Sequence, residues 1–169
     1  MSLHDDLLEH AQALATQDPR RPRQANLRRS ISAAYYALFH RLTSEAAGLY
    51  ATGADLRARI GRTFNHGEMR KVSQSIARGD RPKVLQPPTG RYTPPPDLRI
   101  VAETFTNLQE ARHEADYEVT RTFRRHEALD YVRRAQAAFN AWDRIRRTDD
   151  ASLYLACFLL WKRWDEEPR

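Results

Sequence analysis

Residues 24–47 contain neither proline nor glycine, and that uninterrupted stretch constrains the fold more than any other feature of the chain. It is long enough for about six helical turns. Leu27, Ile31, Ala34, Tyr35, Leu38 and Leu42 recur through it three or four residues apart, lining one face of an α-helix with apolar side chains. The spacing predicts one long helix that must be covered along its length, with Gly48 as its C-cap.

The same periodicity runs through the rest of the chain. Leu3, Leu7, Leu8, Ala11 and Leu14 predict a helix over 3–15, broken by Asp18-Pro19-Arg20-Arg21-Pro22 because proline lacks an N–H and disfavours helix in the residue before it. Two shorter helices are expected over 55–64 and 67–77. Residues 81–96 hold six prolines, too many for a helix interior, so the 80–96 region reads as an ordered extended loop or a mobile flap. A helix then starts at Pro96-Asp97 and runs to about Tyr117, its stripe made by Leu98, Val101, Phe105, Leu108 and Ala111 or Arg112. Another covers 125–147 with Ala128, Val132, Ala135, Ala138, Phe139, Trp142 and Ile145 inward. A last helix, 149–165, opens on Asp149-Asp150 and carries an apolar run from Leu153 to Trp161 that covers every side, as in a core helix or one between subunits. The expected architecture is an all-α bundle of six to seven helices, one domain over residues 1–169.

Composition closes several other routes. A chain of 169 residues buries enough surface to need no covalent staple, and Cys157 is its only cysteine. No apolar run approaches the length of a membrane span, and the acidic N-terminus lacks the features of a signal peptide, so a cytoplasmic protein without membrane contact is expected. Dinucleotide, phosphate-loop, nucleophile-elbow and zinc-protease motifs are missing. The histidines at 4, 10, 40, 66, 113 and 126 never fall three or four apart, so neither a metal nor a cofactor is expected.

The charge is basic and dominated by arginine: 25 arginines and three lysines set a formal net charge of +6. Between residues 57 and 83, eight cations (Arg57, Arg59, Arg62, Arg70, Lys71, Arg78, Arg81 and Lys83) face two acids, Glu68 and Asp80. Such a tract reads either as a solvated helix pair or as a phosphate-binding surface with salt-dependent affinity for nucleic acid. Tyr92 offers a ring for stacking a base.

One stripe of the long helix carries candidate chemistry. Arg29, Ala33, Tyr36 and His40 lie at offsets of four, seven and eleven residues, displaced from the Leu27/Ile31/Leu38 face. A neutral imidazole serves as acid or base near neutral pH, and a guanidinium holds a phosphate. Together they suffice for metal-independent RNA cleavage through the 2′-hydroxyl, whereas a hydrogen-bonded core histidine beside a solvated arginine would have the same spacing.

Ser32-Ala33-Ala34-Tyr35-Tyr36-Ala37-Leu38-Phe39-His40 resembles the S-R-A-Y-Y-A-[ML]-F-H helix of HEPN-superfamily proteins, and Glu114-Ala115-Asp116-Tyr117 is similar to the step leading into that family's last conserved helix, here the Ala135 and Phe139 segment. The resemblance covers roughly residues 3–147. It implies a small helical bundle, usually a homodimer, often a metal-independent ribonuclease of toxin–antitoxin, CRISPR or other defence systems. An R-x(4–6)-H motif is paired across such dimers, and a minimal nucleotidyltransferase is a frequent partner. The histidine carries over to His40, but Ala33 stands where the motif arginine belongs. Arg29 is the candidate replacement: about 16 Å from His40 along the axis, it would meet the histidine of a second protomer if two antiparallel copies crossed near residues 34–35. Arg59 and His66 also match the motif numerically, but Gly61 interrupts them. Catalysis is thus expected at His40 and Arg29, and RNA contact at Arg57, Arg59, Arg62, Arg70, Lys71 and Tyr36. The alternative is a non-catalytic module that binds a nucleotide or a partner protein.

Overall fold

The computed structural model describes residues 2–88 and 90–166; Met1, Thr89 of the proline-rich loop and the last three residues lie outside them. Among the described residues there are seven α-helices and no strand: α1 (Leu3–Thr16), α2 (Gln24–Tyr50), α3 (Ala54–Gly61), α4 (His66–Ala77), α5 (Pro96–Tyr117), α6 (Arg125–Ile145) and α7 (Asp149–Glu166). The all-α bundle expected from the periodicity is the fold observed. The described residues gather into two compact units, one made of the chain up to Arg41 with Thr104–Asn140, the other of Leu42–Glu103 with the chain from Ala141 onward.

In the first unit, α2 buries Leu27, Ile31, Ala34, Tyr35 and Leu38 completely. Leu27 and Ile31 pack with Ala15, Ala111, Ala115, Phe123 and Ala128, while Leu129 and Tyr131 close over them. The small residues of α5 and α6 let the helix backbones approach the larger side chains of α2. Further along, the Tyr35 and Phe105 rings meet at 5.6 Å. Chain reversals are held by polar side chains: Ser2 and Asp5 form a capping box at the start of α1. Gln24 donates to the Phe123 carbonyl at 2.8 Å and accepts from the Phe123 N–H at 2.8 Å. Arg28 donates to the Ala115 and Glu118 carbonyls, at 2.7 and 3.0 Å, and to that of Arg121, tying down the end of α5.

In the second unit, α4 packs on α7. The Ser73 and Tyr154 hydroxyls meet at 2.7 Å within that buried contact, and Tyr154 stacks edge-on against Phe158 at 4.7 Å. The described part of the proline-rich segment is a loop containing a short 3-10 turn, Lys83–Leu85. Arg81 anchors it: its guanidinium lies 3.6 Å from the Tyr92 ring centroid and donates to Asp150 at 2.7 Å. Tyr92 donates to the same carboxylate at 2.8 Å.

Three expectations are corrected. α2 continues through Gly48 to Tyr50, and Gly48 has no positive φ; an exposed helical glycine costs only about 1 kcal/mol, which the flanking turns tolerate. α6 stops at Ile145 rather than near 147. Within the single chain α7 is not a fully covered core helix: Ala151, Tyr154, Leu155, Cys157 and Phe158 are buried in one stripe, whereas Leu159 is exposed, which corrects the core-helix alternative and not the one between subunits.

Gly79 is a position where only glycine fits the backbone. Its φ is +83°, and a Cβ there would stand 2.4 Å from the Tyr92 carbonyl oxygen. Gly79→Ala is therefore expected to destabilise the fold by at least about 1 kcal/mol, read as a lowered midpoint in thermal unfolding.

Candidate functional site

The first unit carries the polar cluster of interest. Ser32, Tyr36 and His40 follow one another at four-residue intervals on α2, so they stand in a row along the helix. On α5, Arg112 and Asp116 have the same spacing and bind to that row. Ser32 donates to Asp116 at 2.6 Å. The Arg112 Nε forms an ion pair with Asp116 at 2.8 Å, and the Arg112 Nη2 donates to the Tyr36 hydroxyl at 3.0 Å. Both charged side chains remain partly accessible, at 22% for Arg112 and 23% for Asp116.

His40 extends the row. Its ring stacks on that of Tyr36 with centroids 6.2 Å apart and planes 29° apart, and it meets the edge of Phe39 at 5.3 Å. Half-burial withdraws water from the imidazole and lowers its pKa below the ordinary value. The neutral ring is the dominant form at pH 7, which suits a general base.

The expected site residues divide. Tyr36 and His40 are brought together. Arg29 is exposed on the same helix and makes no hydrogen bond or ion pair through its side chain with the described residues. Ala33 is buried. Arg59 and His66 belong to different helices, α3 and α4. In the sequence, Arg112 is no more than an alternative to Ala111 in the α5 stripe, and Ala111 is the residue that is buried. The local signal for Arg112 is its i, i+4 arginine–aspartate spacing with Asp116.

The basic tract lies in the second unit and is thinner than its charge count implies. Arg57 donates to the Ala51 carbonyl at 2.7 Å, Lys71 lies 3.5 Å from Glu68, and Arg81 is held by Asp150 and Tyr92. Arg70 is half-buried and engaged within the fold. Arg59 and Arg62, at the end of α3, are exposed and make no hydrogen bond or ion pair through their side chains with the described residues. Tyr92 is not presented for stacking, because the Arg81 guanidinium covers its ring; burial, and then the bond to Asp150, push its hydroxyl pKa up to about 12.

Among the described residues, no group of three or more His, Cys, Asp or Glu side chains is placed to hold a metal ion, and no helix is long and apolar enough to cross a membrane. Comparison of the chain with protein-family models, characterised proteins and solved structures found no match.

The burial of His40 sets a titration. Its imidazolium is disfavoured only in the folded state, so its contribution to stability is present above the unfolded pKa of about 6.5 and is lost as pH falls through the lower folded value. A proton NMR titration is expected to place the His40 midpoint below about 6.5, and His40→Gln to reduce the loss of stability on acidification.

Proposed function

We propose that the chain is a HEPN-like protein of a prokaryotic defence or toxin–antitoxin type system that binds RNA and cleaves it without metal at the Tyr36–His40 face. The observation that supports this reading is the arrival of Arg112 on that face, since Ala33 leaves the helix itself without the motif cation. Neutral His40 removes the proton from a 2′-hydroxyl, the 2′-oxygen attacks the adjacent phosphorus as the bond to the 5′-oxygen breaks, and water protonates the leaving 5′-oxygen while the imidazolium returns its proton to solvent, giving a 2′,3′-cyclic phosphate. Arg112 stabilises the charge that develops on the phosphate oxygens. In a homodimer, Arg29 of a second protomer adds a further phosphate contact. Arg59 and Arg62, with Arg57, Arg70 and Lys71 of the same basic tract, supply longer-range attraction.

A second reading is favoured by the Arg112–Asp116 ion pair. With its charge already met, Arg112 serves a module that holds a nucleotide or a partner protein, such as a nucleotidyltransferase, without cleavage.

Incubation of purified protein with end-labelled single-stranded RNA in excess EDTA separates the two. Cleavage is expected to yield cyclic-phosphate ends, to disappear in His40→Ala and to fall about 10²–10³-fold in Arg112→Ala. Cleavage undiminished in His40→Ala would overturn the catalytic reading, and binding without cleavage would select the second. Replacing both Arg59 and Arg62 with alanine is expected to lower the slope of log affinity against log salt by about 0.7 for each phosphate that the variant no longer engages, as measured by fluorescence anisotropy over a salt series.

A further inference from the structure

Arg112 touches a second ring besides that of Tyr36. Its guanidinium carbon lies 5.6 Å from the Tyr36 centroid and 5.7 Å from that of Tyr117. Tyr117 in turn lies 5.0 Å from the exposed ring of His113, as Tyr36 lies 6.2 Å from that of His40. His40, Tyr36, Arg112, Tyr117 and His113 thus form one continuous row of flat groups, with the cation at its centre. The two ends differ. Tyr36 and His40 are partly covered, whereas Tyr117 is 60% exposed at the last residue of α5.

Tyr117 thus presents an exposed ring beside a guanidinium. Its electrostatic surroundings are mixed: Asp116 pairs with Arg112, and Glu114 lies 3.6 Å from Arg121 in the next turn of chain. A ligand whose affinity came only from phosphate charge would gain little at this end of the row. One that presents flat, unpaired rings would gain more, because aromatic stacking does not depend on net charge. The bases of a duplex are stacked on each other and offer no free face, while those of a single strand do.

Resting on the RNA-binding reading above, we infer that Tyr117 and His113 form a base-stacking platform selecting single-stranded RNA, with Arg112 as the bridge that carries the strand from this platform to the Tyr36–His40 face. The platform supplies affinity through the base and leaves the phosphate to Arg112 and His40.

The test is fluorescence anisotropy of the full chain with a short labelled single-stranded RNA, and with the same RNA annealed to its complement. The single strand is expected to bind more tightly than the duplex. Tyr117→Ala is expected to weaken single-strand binding roughly 5- to 150-fold with an unchanged salt slope, whereas Tyr117→Phe and Tyr117→Trp retain it. A thermal midpoint shared by the three variants establishes that the fold is intact. Wild-type protein that binds single-stranded RNA while Tyr117→Ala binds it equally well would overturn the platform and leave the RNA reading standing. Equal affinity for duplex and single strand would do the same. No binding of either RNA by wild-type protein would overturn the RNA reading, and the platform with it.

Discussion

A helix that buries Leu27, Ile31, Ala34, Tyr35 and Leu38 completely carries its neighbouring polar positions into contact with whatever covers it. Ser32 is buried as well, and an unsatisfied hydroxyl there would cost about 1–3 kcal/mol. Asp116 accepts its hydrogen bond at 2.6 Å, but a carboxylate brought this close to the core needs a cation, and Arg112 is one helical turn away on α5. The second arm of Arg112 then reaches Tyr36. Burial of the apolar face therefore dictates a four-residue network, and that network places a guanidinium beside the Tyr36–His40 pair. Removing Asp116 would leave both a buried hydroxyl and a partly buried cation without their partner, so the cluster stands or falls together.

The same logic governs most of the arginines. The planar, forked guanidinium suits carbonyl groups at helix ends and carboxylates on adjacent turns. Arg28 closes the end of α5, Arg125 donates to the Pro19 carbonyl at 3.0 Å in the turn after α1, and Arg144 grips Asp97 through two bonds of 3.0 and 2.6 Å. Arg121 joins Glu127 at 2.7 Å. A net charge of +6 spread over such internal work is a poor measure of a phosphate-binding surface. The cations at Arg59 and Arg62 are a better one, because nothing in the described fold competes for them.

How far the sequence is legible depends on the range of the interaction. Helices follow from apolar spacing and from proline, which act locally, so α2 and α5 are readable from residue patterns almost to their ends. Gly48 misleads because the turns beyond it, rather than its own preference, decide where α2 stops. The apolar run in α7 misleads because a sequence does not show how many neighbours a helix has; Leu159 has too few to be covered. Tyr36 and His40 are legible because they share a helix. Arg112 is not, since its approach to Tyr36 depends on how α5 packs on α2, a contact between residues 76 positions apart. Only its pairing with Asp116 has a local signature.

Where the cation comes from also changes what the site can select. Position 33, where an arginine on the same helix as the histidine would stand, is buried. Arg112 is delivered by another helix, already bound to a carboxylate and to a tyrosine hydroxyl. On the proposed reading, a phosphate arriving there would exchange with Asp116 instead of filling an empty position, so charge alone would yield little net gain. The balance is tipped only by a ligand that makes further contacts along the row of rings on either side of Arg112. On the RNA-binding reading proposed above, an ion-paired arginine flanked by tyrosines would discriminate against simple polyanions and in favour of ligands that combine phosphate with an exposed aromatic face.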